Sequence, residues 1–449
     1  MAQLDIVGAG VLGLTLGYNL IRRGVAVRIW QHGGDLGGML APARLPGLGD
    51  REVDRFAHAI RPSDHNLLAL IDELGLSDDL RSAVTINSCY HHGRIHPLPA
   101  LRDLLDLPDL GLADRVRLAL AIVATRHTRG WQSLERATAL AWLRSMGGLG
   151  ALDWKHLLRA RFDTRFDTVP ATYVWSRLLG AANTHDQINA PDTLSYLRGG
   201  NSMLIAALSR VILAHGGMIV RNAAVEQLRI DKSCVTGLRL AEGDVASDGA
   251  VLALPTPLAR RLLPPEATTL AARWDRHKEY LGLVSVLLAL HRPLTPAYAL
   301  HITDDHIPFS AVVETTNLID RAYTGGYHLV YLPKYVTPGS PYARMDDATI
   351  QQLFRVYLQQ MFPDLTEDAI AAIHVEREHY VEPIHLVGKA DTILSIDTDV
   401  AGLYLVNSAQ VYPLLASSEA AVAHVTRASE RIVRSLASLQ PPLAQCAAA

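Results

Sequence analysis

The earliest residues whose types and spacing could do chemistry are Gly8-Ala9-Gly10-Val11-Leu12-Gly13, a G-x-G-x-x-G. In that pattern the first glycine permits a tight turn. The second lets the main chain approach a pyrophosphate, and the third lets a helix lie close to a strand. The helix start offers unpaired N–H groups and a partial positive charge to phosphate. The motif follows the apolar run at 4–7 and opens a helical pattern carried by Leu12, Leu16, Leu20 and Ile21, the context a dinucleotide site requires. The plain alternative is a glycine-rich turn in an ordinary α/β domain. About 20 residues on, such a site places an acid on the adenosine ribose. Gln31 stands there, after a second strand at 25–30. Its amide carbonyl can accept a ribose hydroxyl without charge assistance, or Gln31 only caps the strand.

Other reactive residues are scattered. His91, His92 and His96 are close, but HHGRIHPLP reads as a hairpin loop, and no cysteine or carboxylate pattern supports zinc, so no metal is expected. Cys89, Cys234 and Cys446 share no CxxC spacing and form no disulfide framework. Arg55 and Arg198 present planar forks suited to an anionic substrate group, or form ion pairs across a domain seam. Tyr412 precedes Pro413 at the end of a C-terminal strand, where it lines a pocket or fills core.

These residues need elements to hold them. Strand, glycine turn, helix and strand within 30 residues make a βαβ unit and predict a parallel sheet. Residues 64–81 and 99–180 read as mainly helical, 218–254 as short strands, 280–335 as an antiparallel sheet and 345–362 as a helix. A strand and a long helix close the chain at 400–435. The chain has 449 residues, 49% hydrophobic and 19% charged, with 42 Lys+Arg against 45 Asp+Glu. That composition excludes disorder, and the balance gives no nucleic-acid footprint. The N-terminus lacks a basic n-region and no run of 18 apolar residues occurs, so a soluble cytoplasmic protein is expected. The stretch 110–127 has an apolar face and three arginines; a surface helix is favoured over peripheral membrane contact.

Further segments carry a resemblance. They are Asp35-Leu36-Gly37-Gly38-Met39, Tyr196-Leu197-Arg198-Gly199-Gly200-Asn201-Ser202-Met203-Leu204 and Gly402-Leu403-Tyr404-Leu405-Val406-Asn407-Ser408. Over nearly its whole length the chain resembles the FAD-dependent amine oxidase, protoporphyrinogen oxidase and phytoene desaturase superfamily. VDRFAHAIRPSDHNLLALIDELGL, VVETTNLID, GGYHLVYLPKYV and LYLVNSAQVYP bring it nearest to a bacterial protoporphyrinogen-oxidase-like branch. That branch is associated with glycolipid or natural-product pathways.

The resemblance implies an α/β fold: a Rossmann-like FAD-binding domain of the glutathione-reductase type with a discontinuous mixed α+β substrate domain. The FAD-binding parts are expected at 1–75, 195–270 and 386–436. The substrate domain is expected at 76–194, its helical part, and 271–385, its sheet part, with a flexible tail at 437–449. FAD would be held by Gly8, Gly10, Val11, Leu12, Gly13, Gln31, Gly37, Gly38, Met39, Val225 near the adenine, and Ser408. His58 lies in the segment that approaches the flavin and would take a substrate proton, or is a half-buried structural histidine. Arg55, Arg198, Asn317, Lys334, Tyr335 and Tyr412 would touch substrate; a lone lysine on a strand end is otherwise solvated.

The implied activity is an FAD-dependent oxidoreductase, a desaturase or oxidase that removes hydride from a small, largely apolar metabolite and passes electrons to O2 or another acceptor. One alternative is a redox-neutral flavoenzyme of the UDP-galactopyranose mutase, isomerase or cyclase kind. A second is a degenerate flavoprotein fold acting as a binding module. Gln31 in place of an acid and LLASSE at 414–419 motivate the second; Ala57 and Ala59 around His58 are further departures from the branch. The strand 281–286 also lacks the lysine of amine oxidases proper.

Overall fold

A computed structural model describes residues 3–45, 48, 51–98, 111–113, 116, 131–145, 151–184 and 192–439. In chain order it opens with β1 (Gln3–Val7), α1 (Val11–Ile21), β2 (Ala26–Trp30), β3 (Pro42–Arg44), β4 (Glu52–Asp54) and α2 (His65–Glu73). β5 (Leu80–Val84), β6 (Asn87–His91) and β7 (Arg94–Leu98) follow, then α3 (Ala139–Ser145), α4 (Ala151–Phe162) and α5 (Ala171–Thr184). Next come β8 (Thr193–Leu197), α6 (Asn201–Ala214), β9 (Met218–Val220), β10 (Val225–Asp231), β11 (Cys234–Leu240), β12 (Gly243–Ala246) and β13 (Gly249–Leu252). After α7 (Thr256–Arg261) and α8 (Thr268–Trp274) stand β14 (Tyr280–Leu290), β15 (Ala299–Ile302), β16 (Ala311–Glu314) and β17 (His328–Val336). The chain ends with α9 (Asp347–Met361), β18 (Ile370–Pro383), β19 (Leu403–Leu405) and α10 (Ser418–Leu439).

The first sheet is parallel, in the order β19-β13-β1-β2-β9. Its strands come from both ends and the middle of the chain, so the segments that pair are far apart in sequence. Leu4 and Ile6 of β1 pack under α1, α6 and α10; Val7 faces the other way, toward the β10-β11-β12 sheet, α7 and α8. Asp5, fully buried, accepts two bonds from Arg28 at 2.6 and 2.8 Å and one from the Trp30 indole at 2.7 Å. That ties β1 to β2 directly below the glycine turn. Helix α10 buries Val422, Val425, Ala428, Ile432 and Leu436, a stripe at helical spacing. It runs three residues into the stretch expected as a flexible tail; 440–449, like most of the amphipathic stretch 110–127, lie outside the described residues.

The second sheet has seven strands, β18-β14-β17-β16-β15-β6-β7, with one parallel pair, β15 with β6. β14 is buried along its whole length because both faces are covered. Val284, Val286, Leu288 and Leu290 pack against α9. Leu287 and Ala289 face the other way, against Leu45, Val53 and Ala57 of the nucleotide-fold segments. His91 to Leu98 belong to the β6–β7 hairpin, which turns at His92 and Gly93. No described helix is long and apolar enough to cross a membrane.

Candidate active site

Strand ends converge where the glycine turn lies. Gly8 has φ +106°, and a Cβ there would stand 2.7 Å from the Ala253 carbonyl oxygen. A Cβ on Gly13 would stand 1.9 Å from the Gly8 carbonyl oxygen, so only glycine lets α1 begin this close to β1. Gly10 is the N-cap of α1; it supplies no side-chain cap, and the first turn carries no acid. The N–H groups of Val11, Leu12 and Gly13 have no intrahelical acceptor. Facing them is the glycine doublet: the Gly37 N–H donates to the Ala9 carbonyl at 2.8 Å, and Gly10 pairs with Gly37 as a parallel bridge. A Cβ on Gly38 would lie 3.3 Å from Gly10 Cα. Two bare backbones thus face each other beside an uncapped helix start, a cradle that fits a diphosphate. Met39 follows, half-buried in the short turn Gly38–Leu40.

Gln31 braces this cradle. Its Oε1 accepts from the Ala9 N–H at 3.1 Å and its Nε2 donates to the Asp35 carbonyl at 3.0 Å. One lone pair of Oε1 remains for a hydroxyl. The Gln31 backbone also bonds Val220 and Ala223, which brings Val225 to the same end of the sheet. Ser408 begins a short turn beyond β19. Asn407 and Gln410 cap that turn reciprocally, and His424 of α10 donates from Nε2 to Gln410 Oε1 at 3.0 Å. Burial pushes His424 down to about 4, so it stays a neutral brace. In LLASSE, Glu419 accepts from the Leu67 N–H at 2.8 Å and from Asn66, capping α2.

His58 lies on the half-buried run between β4 and α2, where the nucleotide-fold segments meet the second sheet. Its neighbours Ala57 and Ala59 pack into separate clusters, the first with Leu287 and Tyr331, the second with Tyr298 and Leu318. His58 Nδ1 is 2.9 Å from the Phe56 carbonyl. A carbonyl only accepts, so in the neutral ring Nδ1 carries the hydrogen and Nε2 keeps a free lone pair.

Several expected substrate contacts prove to be engaged elsewhere. Arg55 engages each of its three guanidinium nitrogens on β18: Nε to Glu376 at 2.6 Å, one terminal nitrogen to Glu378 at 3.4 Å, the other to the Arg377 carbonyl at 2.5 Å. It clamps the seam rather than presenting a fork to an anion. Arg198 pairs with Asp79 at 2.6 Å on the surface. Asn317 donates to the Thr295 and Ala297 carbonyls at 2.9 and 2.7 Å, holding a loop. Lys334 is opposite Val284, on the face that packs against α9, with Nζ over the Tyr342 ring at 5.0 Å. Cross-strand neighbours share a face, so it points away from the glycine cradle's side of the sheet. Burial lowers its pKa. Tyr335 is on the opposite face, covered by the Arg161 guanidinium at 3.8 Å, itself paired with Glu382.

Tyr412 keeps a place in a pocket. Its hydroxyl is 2.7 Å from Thr172 Oγ1, and its ring meets Trp131 edge-on at 5.5 Å and His385 at 4.5 Å. Burial pushes Tyr412 up to about 12 and His385 down to about 4, so both are neutral at physiological pH. Phe162, Val169, Leu414 and Leu415 complete a largely apolar wall. Sequence reasoning missed Trp131, Thr172, His385 and the Arg161–Glu382 pair. Only a rule for aromatic residues at strand ends could have found His385.

VVETTNLID contains a buried carboxyl. Glu314 Oε2 accepts from the Leu294 and Thr295 N–H groups at 3.1 Å each, and Oε1 lies 3.4 Å from His328 Nδ1. Burial pushes Glu314 up to about 7, from an ordinary value of 4.5. The native state therefore holds this proton more tightly, and stability is lost as pH rises from about 4.5 through about 7. His328, lowered by burial and then by Arg321, acts in the opposite sense, losing stability as pH falls. Glu314→Gln keeps a carbonyl for the two N–H groups, so it should flatten the decline of Tm between about pH 5 and pH 8. An undiminished decline in the variant would contradict this assignment.

Among the described residues no group of three or more His, Cys, Asp or Glu could hold a metal ion. A search of curated proteins by sequence found no relative. Solved structures give the fold. A protoporphyrinogen oxidase-like protein from Exiguobacterium sp. 255-15 has TM-score 0.73 at 20% identity, covering 96% of this chain and 98% of the other. A UDP-galactopyranose mutase has 0.73 at 15%, covering 97% and 96%. Cyclohexylamine oxidase from Brevibacterium oxydans has 0.70 at 15%, covering 97% and 99%. The family model for flavin-containing amine oxidoreductases matches residues 13–390, most of the chain. With a parallel sheet, a glycine cradle at its strand ends and a second sheet packed against Leu45, Val53 and Ala57, the chain belongs to the flavin-containing amine oxidoreductase family.

Proposed function

We propose that the protein binds FAD and oxidises a small, largely apolar metabolite by removing hydride and a proton. The observation that carries this reading is the apposition of Gly10 and Gly38 beside the uncapped start of α1. A Cβ on Gly10 would meet nothing nearer than Gly38 Cα at 4.0 Å, and the local field favours an anion. Val11, Leu12 and Gly13 would donate N–H groups, Gln31 would accept from the ribose, Val225 would touch the adenine and Ser408 would meet the ribityl side. FAD bound there supplies the hydride acceptor and the route to O2 or another electron acceptor.

The chain's own groups do the rest. Nε2 of His58 takes the proton, since Nδ1 is held by the Phe56 carbonyl. Tyr412 and His385 line a pocket with Phe162, Val169, Leu414 and Leu415, its one carboxylate, Glu382, being paired with Arg161, and that lining suits a largely apolar substrate. The absence of a lysine along 281–286 argues against amine oxidation of the usual kind. The test is an anaerobic screen of candidate metabolites against FAD-loaded protein. Bleaching of the flavin supports oxidation. Turnover with no bleaching would instead establish a redox-neutral enzyme, and failure to take up FAD a binding module.

A further inference from the structure

The largely apolar pocket beside Tyr412 contains one carboxylate, and that carboxylate is only half used. Glu382, near the end of β18, is 6% exposed. Both side-chain bonds it receives land on the same oxygen. Arg161, at the end of α4, donates to Oε2 from Nε at 3.1 Å and again from a terminal nitrogen. The Tyr335 ring lies against the guanidinium at 3.8 Å on another side. Among the described residues no donor meets Oε1, which is not sealed off, and Glu382 lines the pocket. A carboxylate this deeply buried gains from a second donor, because burial has removed most of the water that would otherwise supply one.

The other polar groups of the lining can complete a hydroxyl. Thr172 Oγ1 and the Tyr412 hydroxyl, 2.7 Å apart, share one hydrogen, which leaves the second of their two hydrogens to donate. His385, whose ring packs against Tyr412 at 4.5 Å, is neutral and carries one donor and one acceptor nitrogen. The charges of Glu382 and Arg161 cancel. An ammonium group would therefore bring an unmatched cation beside Arg161, and a carboxylate an unmatched anion beside Glu382, in a site short of water. A hydroxyl donates to Oε1 and accepts from one of the neighbouring groups without adding charge.

We propose that Glu382 is a specificity-determining residue: its Oε1 accepts the O–H of a substrate that is apolar apart from a hydroxyl group, and so selects that group over an ether, an amine or a carboxylate. The contact binds and orients; no bond is made or broken in it. The inference deepens the proposed function and rests on this pocket being where the substrate sits.

The test is calorimetric titration of FAD-loaded protein with four probes: 4-methylphenol, 4-methylanisole, 4-methylbenzylamine and 4-methylbenzoate. The phenol should bind about tenfold or more tighter than the anisole, which keeps the ring but has no donor. It should also bind tighter than either charged probe. In the double variant Arg161→Met, Glu382→Met, which replaces the buried pair by apolar side chains of similar volume, phenol and anisole should bind alike. An ion pair that served the fold alone would shift both affinities together and leave their ratio unchanged. Equal binding of phenol and anisole by the wild type overturns the proposal, as does tighter binding of the amine, binding of none of the probes, or a preference that survives in the double variant. If that variant does not fold, the ratio in the wild type decides. Flavin left oxidised by every hydroxyl-bearing metabolite in the anaerobic screen would remove the oxidation reading and leave the selectivity of Glu382 to stand or fall on the titration.

Discussion

Gly10→Val leaves the protein folded and colourless. A first carbon on Gly10 has room, since its nearest neighbour would be Gly38 Cα at 4.0 Å. Valine adds two further methyl groups, and these project beside the Gly38 backbone at the uncapped start of α1. That space is where the diphosphate must come within hydrogen-bond distance of main-chain N–H groups. Branched carbons at van der Waals distance and N–H donors at about 2.9 Å cannot share it. Gly10 has an extended backbone, φ −71°, which valine adopts without strain, so the fold should survive. Purified Gly10→Val should show native far-UV circular dichroism, no visible flavin absorbance, and FAD affinity reduced by about 100-fold or more, about 2.7 kcal/mol. Gly10→Ala should keep part of its flavin. Full colour in Gly10→Val would place the diphosphate elsewhere.

His58→Gln should keep flavin and lose rate. Glutamine can still donate to the Phe56 carbonyl, so the run from β4 to α2 stays in place, but it has no basic nitrogen. General-base assistance contributes roughly 10²–10⁴-fold. Flavin reduction by a substrate found in the screen should slow by that factor, with substrate affinity little changed. The visible spectrum should match the wild type. A variant within about threefold of wild type would make His58 a structural residue, as its half-buried setting also permits.

Much of this was legible in the sequence. The glycine turn declared itself because three glycines have separate steric reasons to be there, and the Gly13–Gly8 approach shows how strict the third one is. The parallel sheet followed from the first βαβ unit, and α10 from its apolar stripe. The second sheet was read only in part. β18 was not foreseen, because Glu376, Arg377 and Glu378 in a row do not read as a strand. They are tolerated since Arg55 pairs with the two glutamates and Arg377 with Asp347 of α9.

Substrate-side residues were harder, for a physical reason. A polar side chain in a matching segment can serve the fold or the ligand, and sequence does not say which way it points. Asn317 holds a loop and Arg55 a seam. Lys334 falls on the wrong face because strand side chains alternate, and its register against Val284 was unknown until β17 was paired. Glu382 went unnoticed near the end of β18; its role depends on an arginine 221 residues away.

The measurement closest to the central claim is backbone hydrogen exchange with and without FAD. Diphosphate held by main-chain amides must slow exchange at Val11, Leu12 and Gly13, which α1 itself leaves without acceptors, and at the facing Gly38 and Met39. Protection concentrated at those positions is the predicted result. Stoichiometric, tightly bound FAD that leaves their exchange unchanged would contradict the account.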